Sequence, residues 1–332
     1  MFHYLQLHSS DGTFTSIIGP VDPMKPSLSG VFAALCTPID ALGRPDLGAF
    51  DRIVDFVMER GIEGVVVGGG TAEYPHFSVA ERASLAMRAI QRMAGRGRVI
   101  VCVGTASIFS TLRLAREAVD SGCDALLLPM PYFFRYSQDD LISYCEKVCG
   151  SVSAPVLLYN LPGFTNPLEV STALRLLANV PNLIGLKDSS GREENLVALA
   201  TTDKQRSFSL FVGDDDLLLS ALRAGWDGVV SGIACFAPEL IAAVYRSYRE
   251  GHENQAMANQ TSLDELIRIV IADLPIPWGV RLGLSVRGIP NGAMHLPPSP
   301  LRVRQMEEIE ISFGDWAASR GLELDRVWKI AC

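Results

Sequence analysis

The chain has 332 residues, of which 48% are hydrophobic and 20% charged, and its formal net charge is −8. This length and composition suit one large α/β domain with an appendage, or two ordinary domains, and exclude a globally disordered chain. The acidic balance argues against a nucleic-acid or anionic-membrane partner, and no apolar run approaches the ~20 residues that a membrane-spanning helix needs.

Residues 1–29 are predicted to form an arm ahead of the first strand, because Gly19-Pro20, Pro23 and Pro26 interrupt any regular pattern. The opening stretch MFHYLQLHSSDGTF lacks the basic and apolar regions of a secretory signal, so we expect a cytoplasmic protein. The seven cysteines form no C-x-x-C pair, and the five histidines lack metal-ligand spacing. We therefore expect neither a metal site nor a cofactor.

From residue 30 onward, eight short apolar runs alternate with helical patterns. The runs are GVFAALCTP (30–38), GVVVGGG (64–70), RVIVCVG (98–104), DALLLPMP (124–131), APVLLYNLP (154–162), LIGLKDSSG (183–191), FSLFVGDDD (208–216) and GVVSGIA (228–234). Helical stretches such as 46–61 and 111–122 end on glycine, a common helix C-cap. Apolar runs joined by amphipathic helices are typical of a parallel sheet covered by helices.

Eight such units over about 200 residues predict a (β/α)₈ TIM barrel. The alternative is an open doubly wound sheet, which is less well supported because no G-x-G-x-x-G follows the first run. The remainder of the chain reads as mostly helical. We therefore predict an N-terminal arm (1–29), a barrel (30–235) and a C-terminal helical appendage or subdomain (236–332).

Reactive groups of such a barrel lie where the strands end. The predicted strand ends carry Thr37, Gly69-Gly70-Thr71-Ala72-Glu73, Gly104-Thr105, Pro131-Tyr132-Phe133, Tyr159-Asn160, Lys187-Asp188, Gly213-Asp214-Asp215 and Ser231-Gly232. Taken one at a time, these features have ordinary explanations. The glycines suit a flexible loop, the tyrosine a core position, and the aspartates a helix cap.

Lys187 interrupts a run that otherwise reads as a buried strand, NLIGLKDSSG (182–191). Burying an ammonium is unfavourable unless it is paired or deprotonated. Lys187 is therefore a lysine whose amine reaches back to solvent, half of an ion pair with Asp188, or a catalytic amine. A neutral amine in an apolar pocket attacks a carbonyl, and a tyrosine such as Tyr159 on the preceding strand can move the protons. The glycine-rich turn offers backbone N–H groups to a carboxylate. Together these features favour catalysis.

With these motifs the chain resembles the dihydrodipicolinate synthase and N-acetylneuraminate lyase family of Schiff-base enzymes, from about residue 30 to residue 300. The matching segments are GGGTAE (68–73), PMPYFFRYSQDDL (129–141), LLYNLPGFT (157–165), GLKDSSG (185–191), VGDDDLLLSALRAGWDGVVSG (212–232) and PIPWGVRLGLSVRGI (275–289). The combination of Y-N-x-P with G-x-K-D-S-S-G is highly specific for this family.

The resemblance implies a role for several positions. Lys187 matches the lysine that forms a Schiff base with pyruvate or another 2-oxo acid, and Tyr159 matches the proton-shuttling tyrosine. Gly70 and Thr71 match the turn that binds the substrate carboxylate. Val230 matches the residue after strand eight whose backbone faces the keto acid.

Three positions depart from the pattern of true synthases. Gly70 stands where a threonine relays protons, and Phe133 stands where a tyrosine from a neighbouring subunit completes that relay. Phe164 occupies the place of an arginine that grips the carboxylate of the aldehyde substrate. These differences favour an aldehyde or tail with less charge.

We therefore expect an aldolase or dehydratase that acts on a 2-oxo acid. Asp214 and Asp215 are candidates to hydrogen-bond hydroxyls of a sugar-acid tail, and Ser231 is a further candidate substrate-binding residue. Authentic dihydrodipicolinate synthase is the first alternative, and a non-catalytic barrel that binds an anion at the turn is the second. The family resemblance also implies a homo-oligomer, a tetramer or dimer.

Overall fold

The computed structural model describes residues 28–201, 208–271, 274–289, 292–322 and 324. Eight parallel strands close into a barrel in sequence order. They are β1 (Gly30–Ala34), β2 (Gly64–Val67), β3 (Arg98–Cys102), β4 (Ala125–Pro129), β5 (Val156–Asn160), β6 (Leu183–Asp188), β7 (Ser209–Val212) and β8 (Gly228–Ser231). Each strand lies within one predicted run, so the TIM barrel is confirmed and the open sheet was the wrong alternative.

Helices follow each strand and cover the outside of the barrel. They are α1 (Leu47–Met58), α2 (Val79–Met93), α3 (Ile108–Asp120), α4 (Gln138–Cys149), α5 (Val170–Asn179), α6 (Glu193–Thr201), α7 (Leu218–Arg223) and α8 (Pro238–Arg249). Three more, α9 (Glu253–Val270), α10 (Ile276–Val286) and α11 (Pro300–Ser319), pack on one another. Among the described helices, none is long and apolar enough to cross a membrane.

Alternation along the strands separates two apolar layers. One set of side chains fills the barrel interior, including Phe32, Val66, Tyr159, Phe211 and Val230. The intervening residues belong to the larger cluster that packs between the sheet and its helices. Tyr159 is therefore in the interior layer, near the carboxyl end of its strand.

The strands are shorter than the apolar runs that predicted them. The first run extends to Pro38, whereas β1 ends at Ala34. The remaining residues stay buried because they turn over the end of the barrel, where Thr37 is 1% exposed. An apolar run predicts that residues are buried, and it does not predict where a strand ends. The runs are longer than the strands because the loops that carry the candidate site are buried as well.

The predicted arm (1–29) lies almost entirely outside the described residues. The division at residue 235 stays a prediction. In the structure α8 packs against β1 and α7, so the eighth barrel helix lies beyond that boundary, and α9–α11 form the additional helical layer.

Candidate active site

Lys187 and Tyr159 face each other at the carboxyl ends of adjacent strands. The β5–β6 register pairs Tyr159 directly with Lys187. The lysine Nζ donates to the tyrosine hydroxyl at 3.2 Å and lies 4.3 Å from the ring centroid. Both residues are buried, with Lys187 6% exposed and Tyr159 3% exposed. A buried amine is thus held beside a hydroxyl that can exchange protons with it.

Asp188 does not form the ion pair with Lys187 that the sequence left open. Its Oδ1 accepts from Asn160 Nδ2 at 2.7 Å, and its Oδ2 accepts from Ser190 Oγ at 2.7 Å and Asn195 Nδ2 at 3.3 Å. Burial raises the pKa of Asp188, and these hydrogen bonds offset part of that effect. The carboxylate is therefore used by the neighbouring loops, which leaves the amine of Lys187 without a carboxylate partner among the described residues.

Gly213 makes room for the lysine. A Cβ on this residue would come 2.8 Å from Lys187 Cε and would also collide with Ser189 Oγ. Gly213 follows β7, the strand that pairs with the lysine strand. The sequence pattern G-D-D-D therefore has a steric requirement at its first position.

The glycine-rich turn lies beside the same pair. It begins at Gly68, whose φ of +70° favours glycine, and continues as a short 3₁₀ turn, Gly70–Ala72. A Cβ on Gly70 would lie 3.8 Å from the Tyr159 hydroxyl. The backbone N–H groups of Gly69, Gly70 and Thr71 have no hydrogen-bond partner within the described ranges. Three adjacent donors are therefore available to an anion.

The end of β8 adjoins this turn. A Cβ on Gly232 would lie 3.2 Å from Thr71 Oγ1. Ser231 is the last residue of β8 and Val230 the one before it, so Val230 lies inside the strand and not after it as expected. The structure thus brings the turn, the lysine–tyrosine pair and the end of β8 to one region of the barrel mouth.

The two aspartates after Gly213 differ. Asp214 Oδ2 accepts from the backbone N–H of Gly191 at 3.0 Å, and burial raises its pKa. Burial raises the pKa of Asp215 to about 7. Hydrogen bonds with the Ser231 side chain and the Ile233 backbone lower this pKa and offset part of the effect of burial. Asp215 Oδ1 is buried without a hydrogen-bond partner. Asp215 therefore has an unused oxygen, whereas Asp214 stabilises a loop.

Phe133 and Phe164 lie at the surface, on the loops that follow β4 and β5. Phe133 is 86% exposed with a left-handed φ of 79°, and Phe164 is 72% exposed. Asn166 connects their loops, because its Nδ2 donates to the carbonyl oxygens of Pro131 at 2.7 Å and Phe134 at 2.8 Å. Phe133 is thus an exposed aromatic residue in a backbone conformation that L-residues rarely adopt.

A buried ion pair that the sequence reasoning missed supports the turn. Arg281 on α10 is 1% exposed, and its Nε donates to Glu73 Oε1 at 2.9 Å. Its Nη2 donates to the carbonyl of Thr37 at 2.8 Å. Arg281 lies in one of the matching segments, PIPWGVRLGLSVRGI, but only the fold reveals that the C-terminal helices reach the site.

Within the described ranges, no group of three or more His, Cys, Asp or Glu side chains is arranged to hold a metal ion. The six described cysteines are free thiols, and Cys145 and Cys149 are both buried on α4.

A closed barrel with buried polar groups at its strand ends is the architecture of a (β/α)₈ enzyme. Comparison with known proteins places this protein among the lyases. The model of the dihydrodipicolinate synthetase family matches residues 27–312. The chain belongs to that family, as its motifs predicted.

Relatives of two activities resemble this chain. A 4-hydroxy-tetrahydrodipicolinate synthase of Bacillus subtilis is 30% identical over 277 residues, covering 83% of this chain and 94% of the relative. A probable 2-dehydro-3-deoxy-D-pentonate aldolase of Escherichia coli K12 is 31% identical over 273 residues, covering 81% of this chain and 91% of the relative.

Solved structures share the fold. A prophage protein of the dihydrodipicolinic acid synthase family from Escherichia coli K12, in complex with pyruvate, superposes with a TM-score of 0.82 at 26% identity, covering 87% of this chain and 98% of that one. The dihydrodipicolinate synthase of Aquifex aeolicus gives a TM-score of 0.82 at 25% identity, with 90% and 100% coverage.

Proposed function

We propose that this protein is a lyase in which Lys187 forms an imine with a 2-oxo acid, pyruvate or a substrate that yields it. The observation that carries the proposal is the buried Lys187 amine, 3.2 Å from the Tyr159 hydroxyl. The pyruvate in the related Escherichia coli structure supports the choice of acid.

The chemistry follows from the positions of these groups. The unprotonated Nζ of Lys187 adds to the ketone carbon, and the carbinolamine loses water to give the imine. Tyr159 donates the proton that the departing hydroxyl needs and takes one back later. Loss of a proton, or cleavage of a carbon–carbon bond with release of an aldehyde, at the adjacent carbon then gives an enamine. The enamine carbon takes up a proton or adds to an aldehyde, which restores the imine, and hydrolysis of the imine releases the product and the free amine.

The carboxylate of the acid is proposed to lie on the N–H groups of Gly70 and Thr71. Both lack partners in the described structure, and both lie in the short 3₁₀ turn Gly70–Ala72, which orients them. The backbone of Val230 faces the same bound acid in this proposal. A preformed pair of donors binds the carboxylate without rearrangement of the turn.

For the substrate tail we propose an uncharged or weakly charged group. Phe164 and Phe133 offer apolar surface at the entrance and no cation for a second carboxylate. Asp215 and Ser231 are proposed to hydrogen-bond tail hydroxyls, since Asp215 Oδ1 has no partner. These features favour a 2-oxo-acid aldolase or sugar-acid dehydratase over dihydrodipicolinate synthase, although the Bacillus subtilis relative carries the synthase name.

The non-catalytic alternative requires an anion on the turn and no covalent chemistry. It leaves the hydrogen bond between Lys187 and Tyr159 unexplained. Borohydride added with pyruvate separates the two, because only an imine is reduced to a stable adduct. We expect a mass gain on the intact protein with pyruvate. No gain with any of a panel of 2-oxo acids would overturn the proposed function.

The substrate class is tested by turnover. We expect activity toward 2-oxo-3-deoxy sugar acids, or toward pyruvate with uncharged aldehydes. Efficient condensation of pyruvate with aspartate semialdehyde, with kcat/KM at or above about 10⁴ M⁻¹s⁻¹, would identify the synthase reaction. It would also refute the proposal that Phe164 leaves the site without a cation for a second carboxylate.

We also propose a cytoplasmic homo-oligomer, a dimer or tetramer. Exposed aromatic side chains at Phe133 and Phe134, whose rings lie 4.9 Å apart, support a contact between subunits near the site entrance. Free thiols at the described cysteines suit a reducing compartment. Sedimentation tests the assembly, and a monomer at all concentrations would contradict it.

A further inference from the structure

A second buried cation lies behind the glycine-rich turn. Arg82 on α2 is 4% exposed. Its Nη1 donates to the carbonyl of Gly104 at 2.7 Å, and its Nη2 donates to the carbonyl of Cys102 at 2.7 Å. Nη2 also lies 3.5 Å from the carbonyl oxygen of Gly68. The guanidinium therefore ties the end of β3 to the first residue of the turn.

This guanidinium has no counter-ion in the described part of the chain. Its neighbours are the thiol of Cys102 and tyrosine hydroxyls, including those of Tyr74 and Tyr132. The Tyr74 ring centroid lies 4.8 Å from its Cζ, and Nε is buried without a hydrogen-bond partner. Arginine stays protonated at neutral pH even when burial lowers its pKa. A buried charge without a partner is unfavourable unless an anion nearby completes it.

Arg82 differs in this respect from the other buried arginine of the site. Arg281 pairs with the Glu73 carboxylate, so its charge is balanced within the protein. The hydrogen bonds of Arg82 in the described structure go to carbonyl oxygens, and neither these dipoles nor the Tyr74 ring carry the full negative charge that would balance it. Of the two, Arg82 is therefore the source of net positive potential at the turn.

The contact with Gly68 also fixes the direction of the first of the turn's donors. The described peptide bonds are trans, and a trans peptide holds its C=O and N–H on opposite sides. With the Gly68 carbonyl toward Arg82, the N–H of Gly69 points away from the guanidinium. This N–H is the first of the three adjacent donors without partners.

We propose that Arg82 is a positioning residue for the substrate carboxylate, a role that rests on the proposed function. It orients the Gly68–Gly69 peptide, which directly precedes the Gly70 and Thr71 donors proposed for the carboxylate, and it supplies the positive charge that balances the carboxylate of the 2-oxo acid. It does so without touching the substrate. The residue thereby contributes to selection of an acid over a neutral ketone of the same shape.

The charge of the ligand distinguishes this role from a purely structural one. Pyruvate and pyruvamide have the same size and the same ketone, but only pyruvate is an anion. Loss of a structural support weakens both ligands together. Loss of the balancing charge weakens pyruvate alone, because the electrostatic term applies only to the charged ligand. The readout is the ratio of the two half-saturating concentrations for borohydride-trapped adduct.

Two variants and one control make the comparison. Arg82→Gln keeps hydrogen-bond donors and removes the charge, whereas Arg82→Lys keeps the charge without the planar fork. Arg88→Gln is the matched control on the same helix. The Arg88 side chain is 41% exposed and paired with Asp51, away from the turn. Circular dichroism and thermal unfolding establish that each variant is folded.

We expect Arg82→Gln to reduce the preference for pyruvate over pyruvamide by about 10-fold or more. The ratio is expected to stay within about 3-fold of wild type in Arg82→Lys and in Arg88→Gln. Equal weakening of both ligands, or no change, in Arg82→Gln would overturn the proposal. If Arg82→Gln does not fold, the proposal is tested with Arg82→Lys, which keeps the positive charge. A loss of about 10-fold in the preference of Arg82→Lys for pyruvate over pyruvamide would then refute the role of charge.

Failure of the proposed function gives a different result. In that case the wild-type protein forms no adduct with either ligand, and both proposals fall together. An adduct in wild type with an unchanged ratio in the variants overturns the role of Arg82 alone.

Discussion

Gly213 and Lys187 are in such close contact that a methyl group on the glycine Cα would lie 2.8 Å from the lysine Cε. Lys187 lies in β6 and Gly213 directly follows β7, and these two strands pair in parallel register. The path of the lysine side chain toward Tyr159 therefore depends on the absence of a side chain one strand away. Packing, as well as chemistry, determines which residue can occupy each strand end.

We expect Gly213→Ala to reduce activity by about 100-fold or more, because it displaces the amine by a sizeable fraction of an ångström. The protein is expected to stay folded, with a loss of unfolding free energy of about 1–3 kcal/mol from overpacking. Gly48→Ala is the control. Its Cβ would lie 3.4 Å from Asp46 Oδ1 on the exposed side of α1. Activity equal to wild type in Gly213→Ala would show that the lysine does not need this space.

The barrel was predictable from the sequence because buried parallel strands are continuously apolar and each ends in turn residues. Lys187 and Tyr159 could be selected as candidates for the same reason, since each is a polar exception near the end of an apolar run. Arg82 and Arg281 gave no such signal. Each lies inside a helix, where an arginine usually covers apolar surface with its stem, and only the closed barrel brings them to the glycine-rich turn.

The second prediction concerns the pH dependence of stability at Asp215. Burial raises its pKa from 3.8 to about 7 in the folded protein, so folding favours the protonated form. The resulting stabilisation is complete below the unfolded pKa and is lost as the pH rises through about 7. At ~1.4 kcal/mol per pH unit, this loss amounts to about 4 kcal/mol at most.

Asp215→Asn removes this titration. We expect the wild type to lose unfolding free energy steadily, relative to the variant, as the pH rises from 4 to 8. Urea unfolding at several pH values measures it. A difference that is constant with pH would mean that the Asp215 carboxyl titrates normally in the folded protein.

A third prediction addresses substrate choice at Phe164. This side chain is 72% exposed, so an arginine fits there without a change in the core. We expect Phe164→Arg to raise kcat/KM for aspartate semialdehyde by about 10-fold or more, through a charge-assisted contact with its carboxylate. Turnover of uncharged aldehydes is expected to change little.

Phe164→Leu is the matched control, since it keeps the apolar surface and adds no charge. If both variants change semialdehyde turnover equally, the position acts through size. If neither changes it, Phe164 does not face the second substrate.

The fourth prediction tests the buried ion pair between Arg281 and Glu73. Removing one partner leaves the other charge buried, so Arg281→Ala is expected to lower the unfolding free energy by about 3–5 kcal/mol. The pair also holds the end of the glycine-rich turn, and we expect weaker binding of pyruvate in any folded fraction. Arg281→Lys is expected to recover part of the stability.

Arg113→Ala provides the contrast. Arg113 pairs with Glu117 one helical turn away, and its side chain is 65% exposed. We expect a loss of at most about 0.5 kcal/mol there. Similar losses at Arg281 and Arg113 would show that the buried pair is dispensable.

The most direct test of the account is the site of the adduct. Wild-type protein, Lys187→Arg and Lys147→Arg are each treated with pyruvate and borohydride, digested and mapped by mass spectrometry. Lys147 is exposed on α4 and serves as the control. We expect the adduct on the peptide that contains Lys187 in wild type and in Lys147→Arg, and none in Lys187→Arg, because guanidinium stays protonated. An adduct that persists in Lys187→Arg, or that maps to another lysine in wild type, would contradict the assignment of Lys187 as the reactive amine.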